Sequence, residues 1–362
     1  EDTDRFLGEQ TMPPAAEAPS EPAAALRIAP LGVAAAIGQD PIAALANGLK
    51  NNPDLIFEHV YNTIQHEPLF GSNKGALGTL LDGRGNAFDQ AKLLIALLNV
   101  AGYGQTVFCY GNITVNSTSA NASGWLGVAN NGFGIRNVLA NGGIPVSDLS
   151  LGPGDTLVSL KVAHVWVMLN LDGAPLPADA CTTGTLPAKT FVFYPSFKQH
   201  TVTQGIDLQQ ALQYSRNDFY AAAGGTLSGN AFTNVNRAGT RSSVATYANN
   251  LLNHIRTTMP TATVNDVIGG KTIIPLAGSP IQVTRADYAS RFQVSAVQTW
   301  TTVPNAYRAY LAVRMPGAPS NRDVVLYADE TYGRRVTLFS VVSGSNFVPT
   351  LLIDGTTPAC GA

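Results

Sequence analysis

The stretch that decides the fold runs from residue 86 to residue 103 and reads NAFDQAKLLIALLNVAGY. Apolar residues recur at the i, i+3, i+4 and i+7 spacing from Leu94 to Ala101, and further apolar side chains flank them. A helix that is apolar over so much of its circumference belongs in a protein core. The pattern therefore predicts a buried helix that packs against a second layer of structure.

The start of this helix is defined by its capping residues. Asn86 is a good N-cap, and Asp89 stands three residues later, where its charge suits the positive end of the helix dipole. Ala87 is then the first helical residue. Unpaired backbone N–H groups at that position would lower the pKa of a thiol, but the methyl group of alanine has no ionisable proton. We interpret Asp89 first as a helix-start charge and second as a general base.

Three segments resemble the transglutaminase-like superfamily, in which a cysteine opens the central helix. Residues 162–167, VAHVWV, are similar to the strand that carries the catalytic histidine. Residues 193–198, FYPSFK, are similar to the strand end where an Asp-Pro pair orients that histidine. The resemblance covers roughly residues 50–355. It is strongest to the domain found upstream of Rhs or YD-repeat regions in large secreted bacterial proteins.

The resemblance implies where catalytic groups would stand. An active member uses a thiolate nucleophile, a histidine that exchanges the proton and a carboxylate that orients the histidine. Here the nucleophile position is occupied by Ala87, the histidine position by His164 and the carboxylate position by Tyr194. Only the histidine is of a catalytic type. Further residues that the resemblance places along the cleft are Asn86, Asp89, Gln90 and Trp166.

Three hypotheses for function follow from this resemblance. The first is a non-catalytic module of a secreted or surface-exposed protein that binds a protein or a glycan, or has a structural role. The second is a cysteine-dependent transglutaminase or peptidase present in an inactivated Cys-to-Ala form. The third is a component of an extracellular filament or toxin-delivery assembly. Because both Ala87 and Tyr194 depart from the catalytic pattern, we favour the first, since deliberate inactivation would change the nucleophile alone.

Composition narrows the classes of partner. The 22 Lys and Arg residues nearly balance the 24 Asp and Glu residues, so no basic excess indicates nucleic acid or an anionic membrane. No apolar run reaches the roughly 18 residues of a membrane span. No cysteine or histidine spacing suits zinc, and we expect neither a metal nor a cofactor. The low charge and many glycines favour a bacterial protein that is secreted or lies at the cell surface or in the periplasm.

The expected fold is α+β and papain-like, with helices on an antiparallel sheet that carries His164 and Tyr194, followed by a mainly β domain. The Pro- and Ala-rich start is expected to be extended, and self-assembly through this arm is one way to form a filament. The predicted divisions are an arm at 1–39, a transglutaminase-like domain at 40–204, a helical connection at 205–265 and a C-terminal β-rich domain at 266–362.

Several single residues have a structural interpretation beside a functional one. His164 is either a catalytic remnant or a strand histidine with satisfied hydrogen bonds. Trp125 and Phe133 form either an exposed aromatic surface or a small hydrophobic cluster under a long loop. A Cys181–Cys360 disulfide is conceivable because both cysteines lie in loop-like sequence, whereas the third cysteine, at position 109, is predicted to be buried in a strand.

Overall fold

A computed structural model describes residues 26–27, 40–229, 231–276, 283–315, 322–343 and 346–355. The fold class is α+β, as predicted, with helices beside a curled antiparallel sheet. Within the described residues the chain forms two compact units. Unit 1 takes the residues up to Gln199 and from Ile273 onward, and unit 2 takes His200–Thr272.

The helices and strands follow one another in three blocks along the chain. The first block, in unit 1, consists of β1 (Leu26–Arg27), α1 (Pro41–Gly48), α2 (Pro53–Thr63), β2 (Gln65–His66), α3 (Gly75–Asp82), β3 (Arg84–Gly85), α4 (Ala87–Val100), β4 (Thr106–Asn116), α5 (Ala122–Leu126), α6 (Gly132–Asn141), β5 (Val146–Leu151), β6 (Leu157–Asn170) and β7 (Thr190–Phe193). The second block consists of β8 (His200–Thr203), α7 (Leu208–Leu212), α8 (Arg216–Ala223), β9 (Thr226–Ser228), β10 (Ala231–Thr233), α9 (Arg237–Thr258), α10 (Val264–Ile268) and β11 (Gly270–Ile273). The third block, again in unit 1, consists of α11 (Arg285–Phe292), β12 (Ser295–Trp300), β13 (Tyr310–Met315), β14 (Arg322–Tyr327), α12 (Ala328–Thr331), β15 (Val336–Ser343) and β16 (Asn346–Ile353).

The central sheet of unit 1 has five antiparallel strands. Its order is β12-β4-β6-β5, and β7 pairs with the second half of β6. The sequence predicts two strand runs, at 105–110 and 113–115, whereas β4 is one continuous strand. Gly111 is needed because β12 crosses close to it: a Cβ atom would lie 3.0 Å from the carbonyl oxygen of Ser295. The glycine marks a close approach of two strands and not a turn.

The two faces of this sheet cover different cores. Side chains of β6 alternate between the faces with the period of two that a strand imposes. Val165 and Val167 pack into the cluster that contains the buried residues of α4, and we call this side the helix face. Val162 and Trp166 pack with Cys109 in the other cluster, and we call that side the disulfide face.

The disulfide joins Cys109 to Cys181, with their Cα atoms 5.6 Å apart. Cys109 is buried in β4, as predicted, and it ties the loop around Cys181 to the sheet. The pairing of Cys181 with Cys360, given above as conceivable, is not the one formed, and Cys360 lies outside the described residues. The physical reason is that loop-like sequence around two cysteines says nothing about which strand lies beneath them.

The C-terminal segment does not form the separate β domain expected from residue 266 onward. β12 is an edge strand of the central sheet, so residues from Ile273 belong to unit 1. A buried carboxylate, Asp329, fixes this segment to the first block. Arg308 donates to it at 2.6 Å and Ser72 at 2.8 Å, and Lys92 of α4 forms an ion pair with it.

The expected N-terminal arm is described only at Leu26–Arg27, which forms β1 and pairs in parallel with β14. The rest of the range 1–39 lies outside the described residues. The helical connection predicted at 205–265 falls within unit 2. A single helix predicted there over 208–222 is divided into α7 and α8, because Gln213 has a left-handed backbone with φ of 54°.

Candidate functional site at the start of helix α4

Helix α4 begins where the sequence places it, and its first turn is tied to the loop before α3. The side-chain oxygen of Asn86 accepts a hydrogen bond from the backbone N–H of Asp89 at 3.0 Å, which is the predicted N-cap. Its side-chain amide also donates to the carbonyl of Gly71 at 2.7 Å. Ala87 follows as the first helical residue and is 8% exposed. The nucleophile position therefore lies at a rigid, capped helix start and carries a methyl group.

Asp89 is an anchor for the neighbouring helix. One carboxylate oxygen accepts backbone N–H groups from Asn73, Lys74 and Gly75 at 2.9, 3.0 and 3.2 Å, which are the residues at the start of α3. Burial raises the pKa of the Asp89 carboxyl, and these three hydrogen bonds oppose the rise. The contacts agree with the helix-start interpretation. Gln90 has a similar role, since its amide donates to the carbonyl of Gly85 at 2.7 Å.

His164 lies on the other face of the sheet. In the sheet, His164 of β6 pairs with Gly111 of β4. Val162 and Trp166, two positions before and after it on the same face of β6, belong to the disulfide-face core. The α4 helix instead packs on Val165 and the other side chains of the helix face. His164 thus contacts rings of the disulfide-face core, whereas Ala87 belongs to the helix-face core. Sequence alone does not fix which face of the strand the helix covers, so a helix start aimed at this imidazole stays a prediction.

The imidazole of His164 is enclosed by aromatic rings and one hydroxyl. Its Nε2 atom lies 3.2 Å from the hydroxyl of Ser196. The ring of Trp125 meets it edge-on at 5.6 Å, and the ring of Phe197 does so at 6.3 Å. The residue is 1% exposed, and this burial lowers the pKa of His164 to about 3. His164 is therefore neutral throughout the physiological pH range.

Tyr194, at the carboxylate position, interacts with a different residue. Its hydroxyl accepts a hydrogen bond from Arg291 at 3.2 Å, and the guanidinium also lies over the Tyr194 ring. The hydroxyl that lies within hydrogen-bonding distance of His164 is that of Ser196, two residues later. Trp166 is likewise a core residue, 2% exposed, with its ring 4.9 Å from that of Tyr288.

Trp125 is buried in a hydrophobic cluster, so of its two interpretations the exposed aromatic surface is the one excluded. It is 1% exposed, and its indole N–H donates to the carbonyl of Ser196 at 2.9 Å. Its other neighbour is His66, whose ring stacks on the indole at 5.1 Å. His66 pairs with Gly85 beside the start of α4. Trp125 thus contacts both His164 and His66, the ring next to the start of α4. Phe133, in contrast, is 48% exposed.

Lys198 is a buried lysine that sequence reasoning missed. It ends the FYPSFK segment, and its ammonium group donates to the carbonyls of Val60, at 3.1 Å, and Ile64. These carbonyls lie at the C-terminal end of α2, where a cation suits the helix dipole. Burial lowers the pKa of Lys198. Its contacts are those of a helix cap.

A cluster of partly exposed aromatic rings lies beside the start of α4 on the helix face. Tyr110 stacks on Trp300 with ring centroids 4.7 Å apart, and Tyr307 lies 4.7 Å from Trp300 and 4.9 Å from Tyr110. We call these three residues the aromatic patch. Phe88, the residue after Ala87, lies 6.2 Å from Tyr307 and connects the patch to α4. Sequence reasoning missed the patch because its members come from separate segments, and only the register of β12 brings them together.

The described residues contain neither a cluster of metal-ligating side chains nor a helix that could span a membrane. No group of three or more His, Cys, Asp or Glu side chains in that part of the chain is arranged to hold a metal ion. None of the helices described is both long and apolar enough to cross a membrane.

Comparison with protein-family models, with curated proteins and with solved structures found no match to this chain.

Proposed function

We propose that this chain is a non-catalytic module with a transglutaminase-like fold, in which the former catalytic positions have structural roles. The order of elements supports this proposal: a capped, buried helix is followed by a strand with His164 and by a strand that leads to Tyr194. The observation that carries it is the position of His164. The imidazole is sealed on the disulfide face, while Ala87 opens a helix on the opposite face.

The chemistry of the three positions supports the same conclusion. A general acid or base works best with a pKa near the working pH, whereas burial lowers the pKa of His164 to about 3. Tyr194 is engaged by Arg291 and offers no carboxylate. Ala87 has no nucleophilic atom. None of these three residues supplies the proton transfer or the attack that amide chemistry requires.

Ser196 is the one hydroxyl that stands beside the imidazole, and its distance is close to that of a nucleophile and its base. It is fully buried, however, and the indole of Trp125 binds its carbonyl oxygen. A substrate would have to displace that indole to reach the hydroxyl. We therefore assign the Ser196–His164 hydrogen bond a role in packing.

The proposal is tested by restoring the missing groups. We expect Ala87→Cys, alone and with Tyr194→Asp, to release no more ammonia from a glutamine-containing peptide than the Ala87→Ser control. The reason is that a new thiol would lie on the helix face, away from the imidazole. The measurement is ammonia release with and without a primary amine acceptor. A rate more than about tenfold above the control would overturn the proposal and support an inactivated cysteine enzyme.

We further propose that the protein functions outside the cytoplasm, at the cell surface or in the surrounding medium. The Cys109–Cys181 disulfide supports this, because such bonds persist in oxidising compartments and are rare in the cytosol. Fractionation of the natural host is the direct test. Recovery of the protein in the cytoplasm with both cysteines reduced would contradict this part of the proposal.

A further inference from the structure

The aromatic patch of Tyr110, Trp300 and Tyr307 lies on the helix face beside the start of α4, and each of its members is partly exposed. Each ring packs against the other two and keeps part of its surface in contact with solvent. Phe88 and the aliphatic core beneath them fix their positions. A rigid, partly exposed group of aromatic rings is a binding surface whose ordering cost is already met in the free protein.

The patch is built from uncharged segments, and the nearby cations Arg308 and Lys92 are paired with the carboxylates of Asp329 and Glu330. The segment from Ser295 to Tyr307 contains no charged residue, and neither does the strand β4. The indole N–H of Trp300 donates to the side-chain oxygen of Gln298 at 3.0 Å, and the exposed Thr301 follows directly. Amide and hydroxyl groups beside aromatic rings suit a ligand that carries hydroxyl groups and no net charge. Nucleic acids need cationic contacts, whereas Arg308 and Lys92 beside this surface are already paired with carboxylates.

The ring spacing distinguishes between two neutral ligands. Domains that bind proline-rich peptides place the peptide in grooves between separate aromatic rings. Here the centroids of the three rings are 4.7 to 4.9 Å apart, so the rings fill the space between one another. No groove remains between them for a pyrrolidine ring. A pyranose ring needs only an aromatic surface on which its C–H groups can lie.

From these observations we propose that the aromatic patch binds an uncharged, pyranose-based glycan chain. This deepens the proposed function and rests on it, since it gives the non-catalytic module a class of ligand. The Trp300 ring supplies the stacking surface. The Gln298 side chain, whose oxygen accepts the indole N–H, lies beside it and offers its amide N–H groups to sugar hydroxyls.

Tryptophan fluorescence gives a direct test on the full chain. Of the three tryptophans, Trp125 and Trp166 are 1% and 2% exposed, so Trp300 is the one that a soluble quencher reaches. We expect cellohexaose or chitohexaose, both neutral, to shift the emission and to protect it from iodide. A charged hexagalacturonate and a proline-rich peptide are expected to do neither.

Variants show whether the patch is responsible. Calorimetry with the better hexasaccharide is expected to show an affinity at least about tenfold weaker for Trp300→Ala than for the unchanged chain. Trp300→Phe, which keeps an aromatic face, should retain much of the affinity. The control is Phe133→Ala, which removes an exposed aromatic side chain elsewhere and should leave binding unchanged. Circular dichroism would show that each variant is folded.

Three outcomes would overturn the inference. The first is that neither neutral hexasaccharide binds at millimolar concentrations. The second is that Trp300→Ala binds as well as the unchanged chain. The third is that the proline-rich peptide protects Trp300 and the sugars do not. These readouts measure binding, whereas the Ala87→Cys experiment measures amide chemistry, so failure of one proposal is distinguishable from failure of the other.

Discussion

The two faces of the central sheet use the same strands in different ways. On the helix face, aliphatic side chains of α4 pack on Val165 and Val167, and partly exposed aromatic rings lie at the edge of this core. On the disulfide face, aromatic rings enclose the polar pair His164 and Ser196. The helix face is held by apolar packing and helix capping. The disulfide face depends on a few large rings and on hydrogen bonds made inside the core.

Under the proposed function, this difference explains how a sequence can resemble a catalytic motif without its chemistry. The buried helix and the strand that carries His164 each contribute side chains to a core, so each has a structural role apart from any reaction. Only the alternation of side chains along β6 decides whether the imidazole meets the helix, and a shift of one residue would reverse it. A motif on a buried strand therefore predicts the strand more securely than it predicts a reaction.

The largest effect is expected from Trp125, which contacts His66, His164 and Phe197 and binds the carbonyl of Ser196. Trp125→Ala should lower the free energy of unfolding by about 3–5 kcal/mol, because it leaves a cavity and an unpaired buried carbonyl. Urea unfolding measures this change.

The matched control for that experiment is Phe133→Ala. Phe133 lies a short distance along the chain and is 48% exposed, so its removal should change the free energy of unfolding by no more than about 0.5 kcal/mol. Equal losses in the two variants would contradict the view that the indole holds the disulfide face together.

A smaller effect is expected from the titration of His164. Burial lowers its folded-state pKa to about 3, below the ordinary value of 6.5, so the folded protein binds fewer protons than the unfolded chain between these values. Stability should therefore fall as the pH drops below about 6.5. From pH 7 to pH 5 this residue alone should lower the free energy of unfolding by roughly 2 kcal/mol.

His164→Gln separates this contribution from those of other groups. Glutamine offers a hydrogen-bonding partner to Ser196 but does not titrate, so the loss of stability between pH 7 and pH 5 should be smaller in the variant. Urea unfolding at several pH values gives both slopes. Identical slopes for the two proteins would mean that the imidazole is accessible to protons in the folded state.

The sequence predicted local structure well and long-range placement poorly, for a physical reason. The α4 helix, its Asn86 cap and the burial of Cys109 depend on neighbours within a few residues or on hydrophobicity alone. The face occupied by His164, the partner of Cys181 and the aromatic patch depend on the register between distant strands. That register is fixed by packing over the whole sheet, which no short segment records.

The smallest effect tests the start of α4. Asn86→Ser keeps an oxygen that caps the helix but loses the amide that donates to Gly71, so we expect a loss of about 1 kcal/mol in the free energy of unfolding. Asn86→Ala also removes the cap and should cost about 1 kcal/mol more. Urea unfolding of both variants measures the two steps. If serine costs as much as alanine, the contact with Gly71 matters more than the cap, and the helix face is fixed by its loop.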